Sequence, residues 1–313
     1  MLYENNTNQL LQLSDVKNMN VNSELYKVFF FVAKNNSVSR AAEQLYISQP
    51  AVSRSIKQLE DKLACLLFFR TSRGVSLTKE GEMLFTYVEM AFNFLFMGEK
   101  KISQIRNLSE GELSIGVGDS ICKHYLMPYL KRFNTENPGI NIHITNQKSF
   151  EIVRRLKEGK IDLGLVNLPL DDDQLRITKL MDIHDCFVVG EKFKNLCSEK
   201  ISLSSLIKHS IMLVEKGSNS RKYIDEFFQN NKILIEPAFE LGNFELLAQF
   251  AIINLGIACV IKEFFLKELE TAELFEVSLK QEIPARSIGV ASLKMVPLSA
   301  AAKEFIYLLT NRK

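Results

Sequence analysis

No apolar run in this 313-residue chain approaches the roughly 20 residues that span a bilayer, so a membrane helix is not expected. The opening residues, MLYENNTNQLLQLSDVKNMN, lack the basic start and apolar stretch of a secretory leader, and the expected compartment is the cytoplasm. Cysteine is sparse and scattered: Cys65, Cys122, Cys186, Cys197 and Cys259 are odd in number and form no Cys-x-x-Cys, which argues against both a disulfide framework and a zinc site. The four histidines, His124, His143, His184 and His209, are not spaced as ligands. There is no GxSxG, no glycine-rich phosphate loop and no HExxH, so no catalytic residue, cofactor or metal is expected. Net charge is small as well, at +2, and any field that attracts nucleic acid must therefore be local.

What is present is an ordinary globular composition, 46% hydrophobic and 24% charged, long enough for two or three domains. One stretch organises the rest: Ser37 to Gly81, SVSRAAEQLYISQPAVSRSIKQLEDKLACLLFFRTSRGVSLTKEG. Val38, Ala41, Ala42 and Leu45, then Val52, Ile56, Leu59 and Leu63, recur at helical spacing, with room between the two sets only for a tight turn. Two helices so joined form a helix-turn-helix, whose second helix enters the major groove. Ser48 is placed to cap that second helix, and Pro50 falls in its first turn, where a missing N–H costs little. Gln49, Ser53, Arg54 and Lys57 then share a face distinct from the apolar one. Arg70 and Arg73 flank a turn at Gly74 that reads as a short wing able to reach phosphates or the minor groove. Between Ser48 and Lys79, six basic residues (Arg54, Lys57, Lys62, Arg70, Arg73, Lys79) face only Glu60 and Asp61, a modest local excess in the right place.

RAAEQLYISQPAVSRSIKQLE followed by LFFRTSRGVSLTKEG resembles the winged helix-turn-helix of the LysR-type transcriptional regulators. The resemblance is dense from the helix at Leu25 to Gly81 and looser beyond, where it rests on the order of elements. It implies a sequence-specific regulator that binds double-stranded operator half-sites as a homodimer or homotetramer, with binding modulated by a small-molecule effector. The residues assigned to DNA are Ser48, Gln49, Pro50, Ser53, Arg54, Lys57, Arg70 and Arg73. An alternative from another class is a cytoplasmic ligand-sequestering protein that uses the helix-turn-helix for protein contacts.

Taken in order, residues 1–20 are polar and Asn-rich and read as a mobile arm, with Met19 an alternative start. Residues 21–77 form the winged head, in which Ser23 is expected to cap a first helix carrying Leu25, Val28, Phe29 and Val32, while Phe30 and Phe31 exceed what one stripe needs. From Thr78 to about residue 108 a linker helix is expected, with Leu84, Phe85, Val88, Phe92, Leu95 and Phe96 on an apolar face awaiting the same helix of another subunit. Residues 111–313 alternate strand and helix and predict an α/β effector domain of two lobes, similar to periplasmic solute-binding proteins. Lobe I takes 111–168 and 284–313 and lobe II 169–283, with chain crossings near Pro169 and Pro284.

In open parallel sheets ligands bind beyond the carboxyl ends of strands, where helix N-termini offer free N–H groups. That rule selects Ser120, Lys148, Ser149, Asn167, Ser218, Ser220, Arg221 and Asn243 as effector-binding residues, a set suited to a carboxylate or other small anion. Asp119 opposes an anion unless it pairs with Lys148 or binds an amine on the ligand. The stretch GSNSRKY carries no cysteine where peroxide-sensing relatives have one, and Cys122, beside the expected cleft, reads as an incidental thiol.

Overall fold

The computed structural model describes residues 21–71, 74–106 and 111–311, without the side chains of 70, 71, 100, 101 and 103–106. The expected arm at 1–20, Arg73 and the side chain of Arg70 lie outside the described residues. The chain forms two compact units that divide between Phe96 and Met97.

In the first unit, α1 (Ser23–Asn35), α2 (Val38–Leu45) and α3 (Gln49–Leu63) precede a hairpin of β1 (Phe68–Thr71) and β2 (Gly74–Leu77). The cap of α1 is Asn22, not Ser23: the Asn22 backbone is still extended, and its side chain accepts the Glu24 N–H at 3.0 Å. Ser37 caps α2 and Ser48 caps α3, each side chain accepting an N–H three residues on, and Pro50 sits in the first turn of α3. α2 ends at Tyr46 in the left-handed conformation, which produces the turn. Phe29, Val32, Ala41, Val52 and Leu59 are fully buried where the three helices meet.

The hairpin pairs Phe68 with Leu77 and Thr71 with Gly74 in antiparallel register. Gly74, at φ +132°, has a conformation L side chains rarely adopt, and a Cβ there would meet the Asn36 carbonyl at 2.7 Å. Thr78 starts the long helix α4 (Lys79–Arg106): its hydroxyl accepts the Gly81 N–H at 3.0 Å and donates to the Leu66 carbonyl at 2.7 Å. Leu84, Phe85, Val88 and Phe92 of α4 pack on the head's own core, where Phe30 lies between Phe85 (5.9 Å) and Phe92 (5.1 Å). The stripe expected to await a second subunit is thus split. Its first four residues close the chain's own core, and Leu95 and Phe96 remain exposed together with Met83 and Tyr87.

The second unit has two mixed sheets. The first, ordered β4-β3-β5-β12-β6, contains β3 (Gly111–Val117), β4 (Ile140–Asn146), β5 (Leu163–Leu168), β6 (Leu175–Ile183) and β12 (Arg286–Leu293). The second, ordered β11-β7-β10-β8-β9, contains β7 (Asp185–Val189), β8 (Ile211–Val214), β9 (Phe239–Leu241), β10 (Ile257–Ile261) and β11 (Phe275–Val277). β3 runs parallel to β4 and β5, and β8 runs parallel to β9 and β10, as the strand–helix alternation requires. The helices are α5 (Asp119–Ile121), running through a π-turn at Cys122–Leu126 into α6 (Met127–Glu136), then α7 (Ser149–Lys157), α8 (Leu203–Leu206), α9 (Asn219–Asn230), α10 (Phe244–Ile252), α11 (Leu266–Glu270) and α12 (Ala300–Thr310).

β12 and α12 return to the first lobe, as their lack of sequence neighbours predicts. The first crossing, however, is not near Pro169. β6 pairs with β12 over Leu175–Leu293 to Ile183–Arg286, so the chain leaves the first sheet at His184. β6 is an edge strand whose Arg176, Lys179 and Asp182 interrupt its apolar residues, and that mixture hides it from periodicity. β9 is short, because Leu234 is exposed and only Phe239–Leu241 finds a partner in β8.

Candidate functional site

Two separate places gather the residues selected above. On the head, burial of Val52, Ile56 and Leu59 turns the opposite side of α3 outward, and Ser48, Gln49, Pro50, Arg54 and Lys57 are exposed while Ser53 is half-buried. Pro50 apart, these are donors and acceptors at a helix start preceded by a tight turn, the geometry that reaches base edges in a major groove. Sequence reasoning passed over Tyr46 and Ile47, which the left-handed turn leaves 95% and 41% exposed at the same end of α3. The clue was a large aromatic at a position with no place in either apolar stripe.

The second place is a cleft of about 340 Å³ between the two lobes. Ser120, Lys148, Ser149, Asn167, Ser218, Ser220 and Asn243 all line it, brought together by the starts of α5, α7, α9 and α10 and the end of β5. Arg221 does not. Its side chain is 3% exposed and turned inward, donating to Asp225 (2.8 Å) and the Val214 carbonyl (3.2 Å) with Glu240 at 3.3 Å. Its place three residues beyond the Ser218 cap points it into the lobe, a direction that loop position alone does not reveal.

The lining residues differ in how much bonding capacity they retain. Ser218 is committed to capping, accepting the Arg221 N–H and donating to the Glu215 carbonyl. Asn243 Oδ1 caps α10 through the Leu246 N–H at 2.9 Å. Lys148, from the first lobe, bridges the cleft to Glu215 of the second at 2.7 Å. Ser120 donates to Glu245 Oε2 at 3.2 Å, and His124 Nε2 lies 2.9 Å from Glu245 Oε1 with its ring stacked on Phe264. Burial pushes the Glu245 carboxyl up, but the His124 hydrogen bond, its own helix-start N–H, and the charges of His124 and Lys123 outweigh this and hold it at about 2. Burial and the nearby Asp119 carboxylate both push the Cys122 thiol up, disfavouring the reactive thiolate.

Beneath the cleft, at the two chain crossings, lies a group the sequence reading did not select. Arg286 at the start of β12 and Asp185 at the start of β7 form a bidentate ion pair with side chains 1% and 0% exposed. The same guanidinium donates to Asn167 Oδ1 of the first lobe at 2.7 Å and to Ser220 Oγ of the second at 3.0 Å, and lies over the Tyr223 ring. The available signal was an arginine opening an otherwise apolar strand, ARSIGVAS, where a buried charge demands a partner. Among the described residues no group of His, Cys, Asp and Glu could hold a metal ion, and no helix is long and apolar enough to cross a membrane.

A helix-turn-helix head with a wing, followed by a two-lobed α/β domain whose cleft gathers helix starts, defines a DNA-binding regulator with a ligand-responsive domain. The chain belongs to the LysR family of transcriptional regulators: residues 23–82 match the family model for the bacterial regulatory helix-turn-helix protein, lysR family, and residues 106–313 match the LysR substrate binding domain. It is 29% identical over 295 residues to the RuBisCO operon transcriptional regulator of Allochromatium vinosum, covering 92% of this chain and 96% of that one. It is 31% identical over 244 residues to the regulator CrgA of Neisseria meningitidis serogroup B, covering 77% and 80%. Among solved structures, full-length CbnR complexed with its target DNA superimposes with a TM-score of 0.63 at 16% identity, covering 92% of this chain and 99% of that one, a likeness of fold.

Proposed function

We propose that α3 reads operator bases through Gln49, Ser53 and Arg54, that Ser48, Pro50 and Lys57 together with the wing residues Arg70 and Arg73 serve the phosphate backbone, and that the cleft holds the effector. The observation that carries this reading is the division of α3 between a buried apolar face, Val52, Ile56 and Leu59, and an exposed one carrying Gln49, Arg54 and Lys57. Arg54→Ala or Gln49→Ala costs about 1 to 3 kcal/mol and relaxes base preference, whereas Arg70→Ala weakens binding to all sequences alike and lowers its salt dependence. Fluorescence anisotropy on operator and scrambled duplexes over a salt series measures both, and unchanged affinity in both classes of variant refutes the assignment.

The protein acts in the cytoplasm as a homodimer or homotetramer and performs no catalysis. Met83, Tyr87 and Leu95, exposed four and then eight residues apart on one side of α4, support pairing with the same helix of a second copy. Effector binding in a cleft crossed by Lys148–Glu215 and Ser120–Glu245 contacts favours one separation of the lobes over another. A coupling of only about 1 to 3 kcal/mol is enough to change operator occupancy.

A further inference from the structure

The hydrogen-bonding direction of the cleft floor is set from below. An arginine can only donate, so a side chain bound to it must present an oxygen. Because Arg286 donates to Asn167 Oδ1 and to Ser220 Oγ, the Asn167 NH2 and the Ser220 hydroxyl proton are left for the cleft. The Asn167 backbone N–H, also a pure donor, engages Ser149 Oγ at 3.3 Å and leaves that hydroxyl proton free in the same way. Ser149 and Ser220 are 8% and 5% exposed, so little water reaches them to substitute for a ligand. Asp185 neutralises the guanidinium, and the floor therefore offers donors with no net positive charge.

The rim has the opposite character. Of the three charged residues lining the cleft, Lys148 is taken by Glu215, and Asp119 has no cationic partner among the described residues. A plain anion on the floor would face an uncompensated carboxylate, and a plain cation at the rim would leave the floor donors without acceptors. Between floor and rim the wall is apolar, formed by Ile121, Val214, Phe244, Ile261 and Phe264. We infer that the effector is a small zwitterion of the amino-acid class, its carboxylate received by Asn167, Ser149 and Ser220, its ammonium by Asp119, and its short apolar side chain by this wall. This inference rests on the reading of the cleft as the effector site.

The test is calorimetric titration of the full-length protein with the amino acids, their deaminated acids, their decarboxylated amines, and sulfate and phosphate. The expected result is that one or a few amino acids with apolar side chains bind, and that removing either charged group from the ligand weakens binding roughly ten-fold. Asp119→Asn weakens the amino acid by a similar factor and brings it level with its deaminated acid, whereas Asn167→Ala and Ser220→Ala weaken both ligands. Asp119 is exposed, so its replacement leaves the core intact, and the ligand series needs no variant at all. The class is overturned if an inorganic anion or plain carboxylate binds as tightly as any amino acid, if no amino acid binds at millimolar concentration, or if Asp119→Asn leaves the amino acid's affinity unchanged. Binding of an amino acid that is indifferent to Asn167→Ala, Ser220→Ala and Asp119→Asn together overturns the cleft as the effector site.

Discussion

The Arg286–Asp185 pair permits a prediction that separates stability from signalling. Both side chains are essentially out of contact with solvent, at 1% and 0% exposure, and the carboxylate takes two of the guanidinium's donors. Asp185→Ala leaves a buried guanidinium with only neutral partners, Asn167 and Ser220, which stabilise it without cancelling its charge. Breaking a buried pair on one side costs about 3 to 5 kcal/mol, and Arg286→Met, which strands the carboxylate, falls in the same range. The double variant Asp185→Leu/Arg286→Met removes both charges together, and for such replacements the net change is expected to be near zero or favourable by about 1 to 4 kcal/mol. Urea unfolding of the four proteins gives the cycle, followed by tryptophan-independent probes such as far-UV circular dichroism, since the chain contains no tryptophan. The double variant should nevertheless lose its ligand response, because Asn167 and Ser220 are no longer turned toward the cleft. A loss below about 1 kcal/mol in Asp185→Ala would refute the premise of a desolvated pair. A stable double variant with an intact ligand response would refute the role assigned to Arg286.

Two further outcomes test other parts of the molecule. A Cβ at Gly81 would lie 2.2 Å from the Leu67 carbonyl oxygen, so Gly81→Ala must push the start of α4 off the hairpin, at a cost of about 1 to 3 kcal/mol visible as a lower melting temperature; an unchanged melting temperature refutes that close approach. The Glu245 carboxyl, ordinarily near 4.5 and held at about 2 here, contributes stability that is present above its ordinary value and is lost as pH falls through that window. Glu245→Gln should therefore be less stable near neutrality and show a shallower loss between those pH values in acid-unfolding curves, and parallel curves would contradict it.

The helix-turn-helix was readable residue by residue because its determinants are local. The cap at Ser48, Pro50 in a first turn, and two apolar sets at helical spacing each act within a few residues, and together they fix which side of α3 faces outward. The cleft's polar loops were legible for a related reason, since a strand followed by a helix places its loop at one predictable edge of the sheet. The limit of that reasoning is Arg221 against Ser220: neighbours in the first turn of α9, one buried in ion pairs and the other on the cleft floor. Direction along a helix start depends on the lobe packed beneath it.

Tertiary structure alone decided three things. It gave β6 to the first sheet, because an edge strand with a solvated face carries little periodic signal and is defined by its partner β12. It spent four of the six residues of α4's apolar stripe on the core of the head around Phe29 and Phe30, a use that amphipathicity cannot distinguish from pairing with another subunit. It also joined Arg286 to Asp185, Asn167 and Ser220 across separations of 101, 119 and 66 residues. Hydrogen-bond polarity in the cleft follows from that junction, so the sequence by itself determined which loops line the cleft, and only the fold decided which of their atoms keep unused hydrogen-bonding capacity.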